Sequence, residues 1–276
     1  MDNISDYWKV YHRVLLPKTA PHIPPLQTNV RKILLKRGLL FARYTSDFDC
    51  GKETEWYYVI KDDFFDVNLL KAKYRYEVNK GNKNFYTKVI IPMDYYDDIF
   101  RISVEAYSAY PAKYRPVLSY ENYRKSVQSW QTDDVVVIGG FDRITGDLCG
   151  FACLICHEEY ISYSMHKVIP VYEKLAVNAA LVNGVLNYFR EIGKYKYIID
   201  GERAIRHETK FQEYLIKYFS FRKAYCRLNI IYNPIVKYIV YILYPFRNIL
   251  GKFKEINFLY NIYCILKQEE IRRTFS

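Results

Sequence analysis

Apolar positions change their period along this chain. Up to about residue 65 they alternate or cluster in short runs. GLLFARYTSDFD and EWYYVIKDD read as strands, with SDFDCGKE as the turn between them. KVYHRVLLP ends at Pro17, and the three prolines of TAPHIPPL exclude regular structure. This opening part is expected to be extended segments and turns. A helical period begins at Asp66, a capping residue, with Leu69, Leu70, Tyr74 and Val78 following and Gly81 expected as its stop. FYTKVIIP is a strand, and MDYYDDIFRISVEAYSAYP and ENYRKSVQSW are helices. DDVVVIGGFDR, DLCGFACLIC and YISYSMHKVIP are three strands joined by the hairpin-scale RITGD and HEE. PVYEKLAVNAALVNGVLNYFREIG predicts one long helix, with Pro170 near its start and Gly193 at its end. KYKYIIDG is a short buried strand, ERAIRHETKFQEYLIKYF a helix and FRKAYCRLNIIY a single strand. Residues 235–270 are helical, with apolar positions 249, 253, 256, 260, 263 and 266 on one face.

The 276 residues suit one large domain or somewhat more, and half of them are hydrophobic, enough for a sizeable core. A net charge of +11 predicts attraction to polyanions: RNA, an anionic membrane face or phosphorylated cofactors. Plain lysine bias explains the same number. MDNISDYWKV has no basic stretch leading into an apolar one, so the expected setting is cytoplasmic, with reduced thiols. The most apolar region, 228–250, is split by Lys237 and interrupted by Pro234 and Pro245. It is too short and broken for a spanning helix of about 20 residues. A peripheral place at the inner face of a membrane, through this tail, stays open.

Cys149, Cys153 and Cys156 are spaced C-x3-C-x2-C, with His157 next. That spacing matches the cluster signature of radical enzymes that cleave S-adenosylmethionine. Here it falls on a strand, where side chains alternate, so Cys149 and Cys153 would share a face and Cys156 would take the other. Cluster ligands converge from a loop. Neither an iron–sulfur cluster nor a bound metal is expected.

From 85 onward the order is strand, two helices, three strands, helix, strand, helix, strand. Over about 85–232 that order resembles the GNAT acyltransferase fold. KAKYRYEVNKGNKNF, with Arg75, Val78, Lys80, Gly81, Lys83 and Asn84, resembles a stretch leading into the GNAT-like domain of Fem-type peptidoglycan aminoacyltransferases and their relatives. YIIDGERAIRHETKFQEYLIKYFSFRKAYCRLNIIYNP resembles the C-terminal block of that group. The resemblance implies an α/β (α+β) fold: a GNAT-like mixed twisted sheet flanked by helices, with a β-rich N-terminal extension and a helical C-terminal tail. Residues 1–84 are then the extension, or a partial GNAT-like half; 85–233 are the GNAT-like domain and 234–276 the tail. It also implies transfer of an acyl or aminoacyl group to an amine or hydroxyl, for instance on a cell-envelope sugar or peptide precursor. The alternative is a non-catalytic membrane-surface or RNA-binding protein on a degenerate transferase fold. GNAT enzymes carry an R/Q-x-x-G-x-G/A loop that cradles coenzyme A pyrophosphate. SMHKVIPVYEKLAV stands there, without glycine and with Pro170. Fem-type relatives also lack the loop and use aminoacyl-tRNA. Acyl-CoA and aminoacyl-tRNA both stay open as donors, with an anionic acceptor.

In the fold so implied, the reactants meet where the sheet splays beside the fifth core strand, which places 197–209 at the centre. His207 is the first candidate proton acceptor, because its ordinary pKa is near neutral; Glu202 and Asp200 follow. Arg203 and Arg206 suit a phosphate or carboxylate of the substrate. Lys71, Arg75, Lys80 and Lys83 are candidate phosphate contacts, because clustered cations repel unless an anion joins them. Tyr163 and His166 are placed to face the cleft, and Tyr225 stands where some GNAT enzymes protonate the leaving thiolate. Each of these also has a bland reading: helix-end charges, surface ion pairs, a solvated helix face.

Overall fold

The computed structural model describes residues 4–111, 115–205, 210–253 and 255–275. In chain order the elements are α1 (Ile4–Tyr7), β1 (Trp8–Tyr11), β2 (Val14–Pro17), α2 (Val30–Lys36), β3 (Phe41–Ser46), β4 (Tyr57–Lys61) and α3 (Ala72–Asn84). Then come β5 (Phe85–Val89), α4 (Tyr96–Ser108), α5 (Tyr120–Gln128), β6 (Val135–Asp142), β7 (Leu148–Cys156), β8 (Tyr160–Val168) and α6 (Val177–Ile192). The last are β9 (Tyr197–Glu202), α7 (Lys210–Phe219), β10 (Arg222–Tyr225), β11 (Arg227–Tyr232), α8 (Pro234–Leu243), α9 (Arg247–Leu250) and α10 (Asn257–Thr274).

The chain divides into two units. One takes the chain up to Tyr58, a short piece beginning at Glu202, and the chain from Lys223 on; the other takes Val59–Gly201 and Lys210–Arg222. In the first unit β1-β2-β3-β11 form a mixed sheet, with β2 parallel to β3 and the other pairs antiparallel. Trp8, Leu15, Val30, Leu34 and Tyr44 fill its core. The helical tail is present. On α10, Leu266 and Ile271 are buried, and Leu266 packs with Phe41, Tyr232 and Val240.

The seven-stranded sheet has the order β10-β4-β9-β8-β7-β6-β5. It carries the second unit, and the chain passes from one unit to the other within β4, β9 and β10. β5 to β8 are antiparallel, and β9 lies parallel to β8. Helices cover both faces, so the central strands are apolar on both sides. Val137, Phe151 and Cys153 meet Ile99 and Ile102 of α4 and Tyr123 of α5. On the other face Leu181 of α6 presses on the backbone at Gly140 and Gly150.

Several local expectations are corrected. The opening part holds a helix, α2, whose Val30 and Leu34 are buried one turn apart. Gly81 does not stop α3, which continues to Asn84. A Cβ there would lie 2.6 Å from the Ala176 carbonyl oxygen and 2.8 Å from the Ala180 nitrogen, so Gly81 is where α3 lies on α6. The expected long helix is two pieces, a 3-10 turn at Pro170–Leu175 and then α6, parted by Ala176 with φ 66°. Gly193 ends α6 in the same left-handed region, as expected. FRKAYCRLNIIY is divided at Cys226 into β10 and β11, which belong to different sheets. The apolar series from 249 to 266 is broken between α9 and α10.

The cysteine strand departs from strict alternation. Gly140 faces Gly150 and Phe141 faces Leu148, so Cys149 is the extra residue of a β-bulge. The two-residue period that would place Cys149 with Cys153 is therefore interrupted. Burial pushes the Cys153 thiol up to about 12 and raises Cys149 and Cys156. Among the described residues no group of three His, Cys, Asp or Glu is placed to hold a metal ion.

Gly81→Ala is expected to lower stability by about 1–3 kcal/mol, because overpacking against backbone outweighs the gain in helix propensity. Chemical denaturation of both proteins measures it.

Candidate active site

β8 and β9 pair over only three positions, Tyr160–Tyr197, Ile161–Ile198 and Ser162–Ile199. Both strands continue, β8 to Val168 and β9 to Glu202. The first residues past the paired stretch are Tyr163 and Asp200. A second bulge lies at the same level: Leu154 faces Tyr163 and Cys153 faces Met165, leaving Ser164 as the extra residue of β8. Strand side chains alternate, so Tyr163 and His166 would normally point to opposite faces. The bulge brings both to the α6 face, where His166 Nε2 lies 2.9 Å from Asn178 Oδ1. Met165 goes to the other face and receives the Tyr123 hydroxyl at 3.7 Å.

α7 closes this pocket of side chains. Gln212, Leu215 and Phe219 form its buried stripe. Phe211 packs on His166 and Tyr163, with ring centres 4.6 and 5.9 Å apart, and Tyr214 stacks beside Phe211 at 6.3 Å. Buried polar atoms are almost always hydrogen-bonded. Here the Tyr163 hydroxyl, His166 Nδ1 and the Tyr214 hydroxyl are buried without a hydrogen-bond partner among the described residues. Asn178 Oδ1 only accepts, so His166 carries its proton on Nε2 and presents a lone pair at Nδ1.

Burial decides the protonation states. It raises Asp200 to about 7, against the opposing hydrogen bond from Gln212. It lowers His166 to about 4, so that ring is neutral. It holds Tyr163 far above the ordinary tyrosine value, aided by the Asp200 charge, and raises Tyr214 as well. The cluster thus offers a carboxyl that changes charge near neutrality, two protonated hydroxyls and one imidazole acceptor.

The remaining expected residues have other surroundings. Glu202, in the first unit, pairs with Arg43, whose guanidinium also lies 5.3 Å from the Trp56 ring centre. Arg203 donates to the Glu55 carboxylate at 2.6 Å and to its carbonyl at 2.5 Å. The Tyr225 hydroxyl donates to Glu53 at 3.2 Å. Arg206 and His207 lie outside the described residues. On α3, Lys80 and Lys83 lie three residues apart on neighbouring positions of one side, Lys71 precedes the first turn, and Arg75 donates to the Asn68 carbonyl. Phe211, Gln212 and Tyr214 were not foreseen. The available signal was a glutamine in the apolar register of α7.

A cleft of about 260 Å³ also lies in the second unit, walled by Lys61, Phe64, Phe189, Arg190, Tyr195 and Tyr197. Its buried Lys61 is paired with Asp63, and Arg190 covers Phe64.

No protein-family model and no curated protein matches the sequence. Solved structures do share its fold. The C-terminal domain of an Agrobacterium fabrum protein described as a lysylphosphatidylglycerol synthetase superposes with a TM-score of 0.52 at 11% identity, over 81% of this chain and 79% of that one. L-PGS from Bacillus licheniformis gives 0.50 at 13% identity, over 82% and 80%. A GCN5-related N-acetyltransferase from Sphaerobacter thermophilus gives 0.44 at 10% identity, over 80% and 72%. The architecture is the expected GNAT-like mixed sheet flanked by helices.

Asp200 sets a pH test. Between about pH 4 and 7 the folded chain keeps a proton on this carboxyl that the unfolded chain has lost, so its contribution to stability falls as pH rises through that window. Asp200→Asn is expected to be more stable than wild type above pH 7, by up to about 4 kcal/mol, with the difference vanishing near pH 4. Paired thermal melts across pH read the difference directly.

Proposed function

We propose that this chain transfers an acyl or aminoacyl group to an amine or hydroxyl acceptor where β8 and β9 part. The observation that carries the reading is the grouping of three buried polar atoms without a partner among the described residues, on Tyr163, His166 and Tyr214 about the Phe211 ring, with the neutral-range carboxyl of Asp200 beside Tyr163. In the assigned mechanism the acceptor nitrogen or oxygen attacks the acyl carbon and passes its proton to Asp200. The Tyr163 and Tyr214 hydroxyls donate to the carbonyl oxygen as it gains charge. The bond to the carrier then breaks, and the proton held by Asp200 returns to the leaving oxygen or sulfur. His166 Nδ1 accepts a hydrogen bond from the acceptor and orients it. No role in transfer is assigned to Glu202, Arg203 or Tyr225, which are engaged in ion pairs and hydrogen bonds of the first unit.

Between the two donors, packing favours aminoacyl-tRNA. The ordinary place for coenzyme A pyrophosphate is the first turn of the helix after β8, and Gly81 of α3 lies against that turn of α6. The +11 charge suits a polyanionic donor, and Lys71, Arg75, Lys80 and Lys83 are proposed to meet its phosphates. The name of the Agrobacterium fabrum neighbour, which couples a lysyl group to a phospholipid, supports aminoacyl chemistry. The acceptor to try first is the envelope precursor that the Fem-type resemblance implies.

Aminoacyl-tRNA is expected to raise the melting temperature, and acyl-CoA to leave it unchanged. In single-turnover transfer from charged tRNA, Asp200→Asn and Tyr163→Phe are each expected to slow the reaction by about a hundredfold, with His207→Ala measured beside them. Full rates in both variants, or no response to either donor, contradict the proposal.

A further inference from the structure

Apart from Lys237, α8 is apolar all round, yet among the described residues only one stripe of it is covered. Val240 is buried, and Val236 and Leu243 pack with it against Phe41, Tyr232 and Leu266. Ile235, Tyr238, Ile239 and Ile242, at helical spacing outside that stripe, are 67, 68, 47 and 48% exposed. A helix that is apolar all round is normally buried in a core or in lipid. The exposed surface continues beyond α8 through Phe246 and Ile249. Scattered apolar residues on a surface need no explanation, but a contiguous set marks an interaction site.

Charge selects the partner. No aspartate or glutamate occurs from residue 214 to 254, whereas Lys237, Arg247, Lys252 and Lys254 fall within its last eighteen positions. Arg247 is held by Glu270. Lys237 is exposed amid the apolar side chains of α8, and Lys252 is exposed just past α9. Lysine stems can lie along apolar surface while the ammonium reaches out to phosphate. Isoleucine, tyrosine and phenylalanine with flanking lysines form the composition of a helix lying in the headgroup layer of an anionic bilayer. No helix among the described residues is long and apolar enough to cross a membrane.

We infer that the outward face of α8, continued by Phe246 and Ile249, lies on an anionic lipid surface with Lys237 and Lys252 at the phosphates. This inference is independent of the transfer reading, since it concerns the first unit and needs no catalysis.

Sedimentation of the full chain with vesicles of phosphatidylcholine, with and without phosphatidylglycerol, tests it. Binding is expected only to the vesicles with phosphatidylglycerol, and raised salt should weaken it. Ile235→Ser with Ile239→Ser, and separately Lys237→Glu with Lys252→Glu, are each expected to reduce binding at least tenfold while the melting temperature stays unchanged. Ile144→Ser, in the exposed β6–β7 turn, should bind as wild type does. If an α8 pair fails to fold, Phe246→Ser with Ile249→Ser replaces it. The inference is overturned if wild type ignores these vesicles or if the α8 variants bind them fully. It is equally overturned if the wild type instead self-associates through this face and the α8 variants only make it monomeric.

Discussion

The backbone ladder between β8 and β9 stops after Ser162 and Ile199, and the proposed chemistry depends on that stop. Two parallel strands that remained paired would place Tyr163 and Asp200 as ordinary neighbours across a sheet. Because they part, both side chains sit in a desolvated space walled by α6 and α7. The bulge at Ser164 is the second half of the same device. It shifts one residue out of register and turns His166 toward Tyr163. Bulges commonly serve to re-aim a side chain beside a working site.

Two desolvated carboxyl groups, Glu269 buried and Asp200 half-buried, show how environment sets behaviour. Burial pushes Glu269 upward too, but hydrogen bonds from Arg272, Arg273 and Tyr232 together outweigh it and hold its pKa below the usual range. That group is a fixed anion tying α10 to β11. Among the described residues Asp200 has Gln212 and no cation of this kind, so desolvation prevails and its charge becomes changeable near neutrality. A satisfied buried carboxylate holds a structure together, whereas an under-satisfied one costs stability. Unpartnered polar atoms on Tyr163, His166 and Tyr214 add to that cost. Their grouping at one place is what separates a candidate site from incidental burial.

The element order was readable because burial imposes periodicity. The antiparallel strands 135–168 and the mostly buried α6 stand close to where alternation and helical spacing put them. The errors fall where a distant contact overrides a local rule. Gly81 has the look of a helix end, yet it is kept small by α6, ninety-five residues further along at Ala176. FRKAYCRLNIIY has uniform strand character, and nothing within it says that its two halves join different sheets. The site followed the same division. Asp200 was legible as a polar group at the end of an apolar strand, and Tyr163 and His166 as polar groups on the strand before the long helix. Phe211, Gln212 and Tyr214 were not, because only the return of α7 brings them there.

By itself the sequence determined the alternation of strands and helices, the positive charge and the apolar, carboxylate-free stretch before residue 255. These are properties of neighbouring residues, and side-chain period and charge express them directly. Tertiary structure alone decided that β8 and β9 separate, that one extra residue in β8 aligns two polar side chains, and that among the described residues α8 is covered along one stripe only. Each of those depends on which distant segment reaches a given backbone or face, and no local pattern of residues encodes that distance.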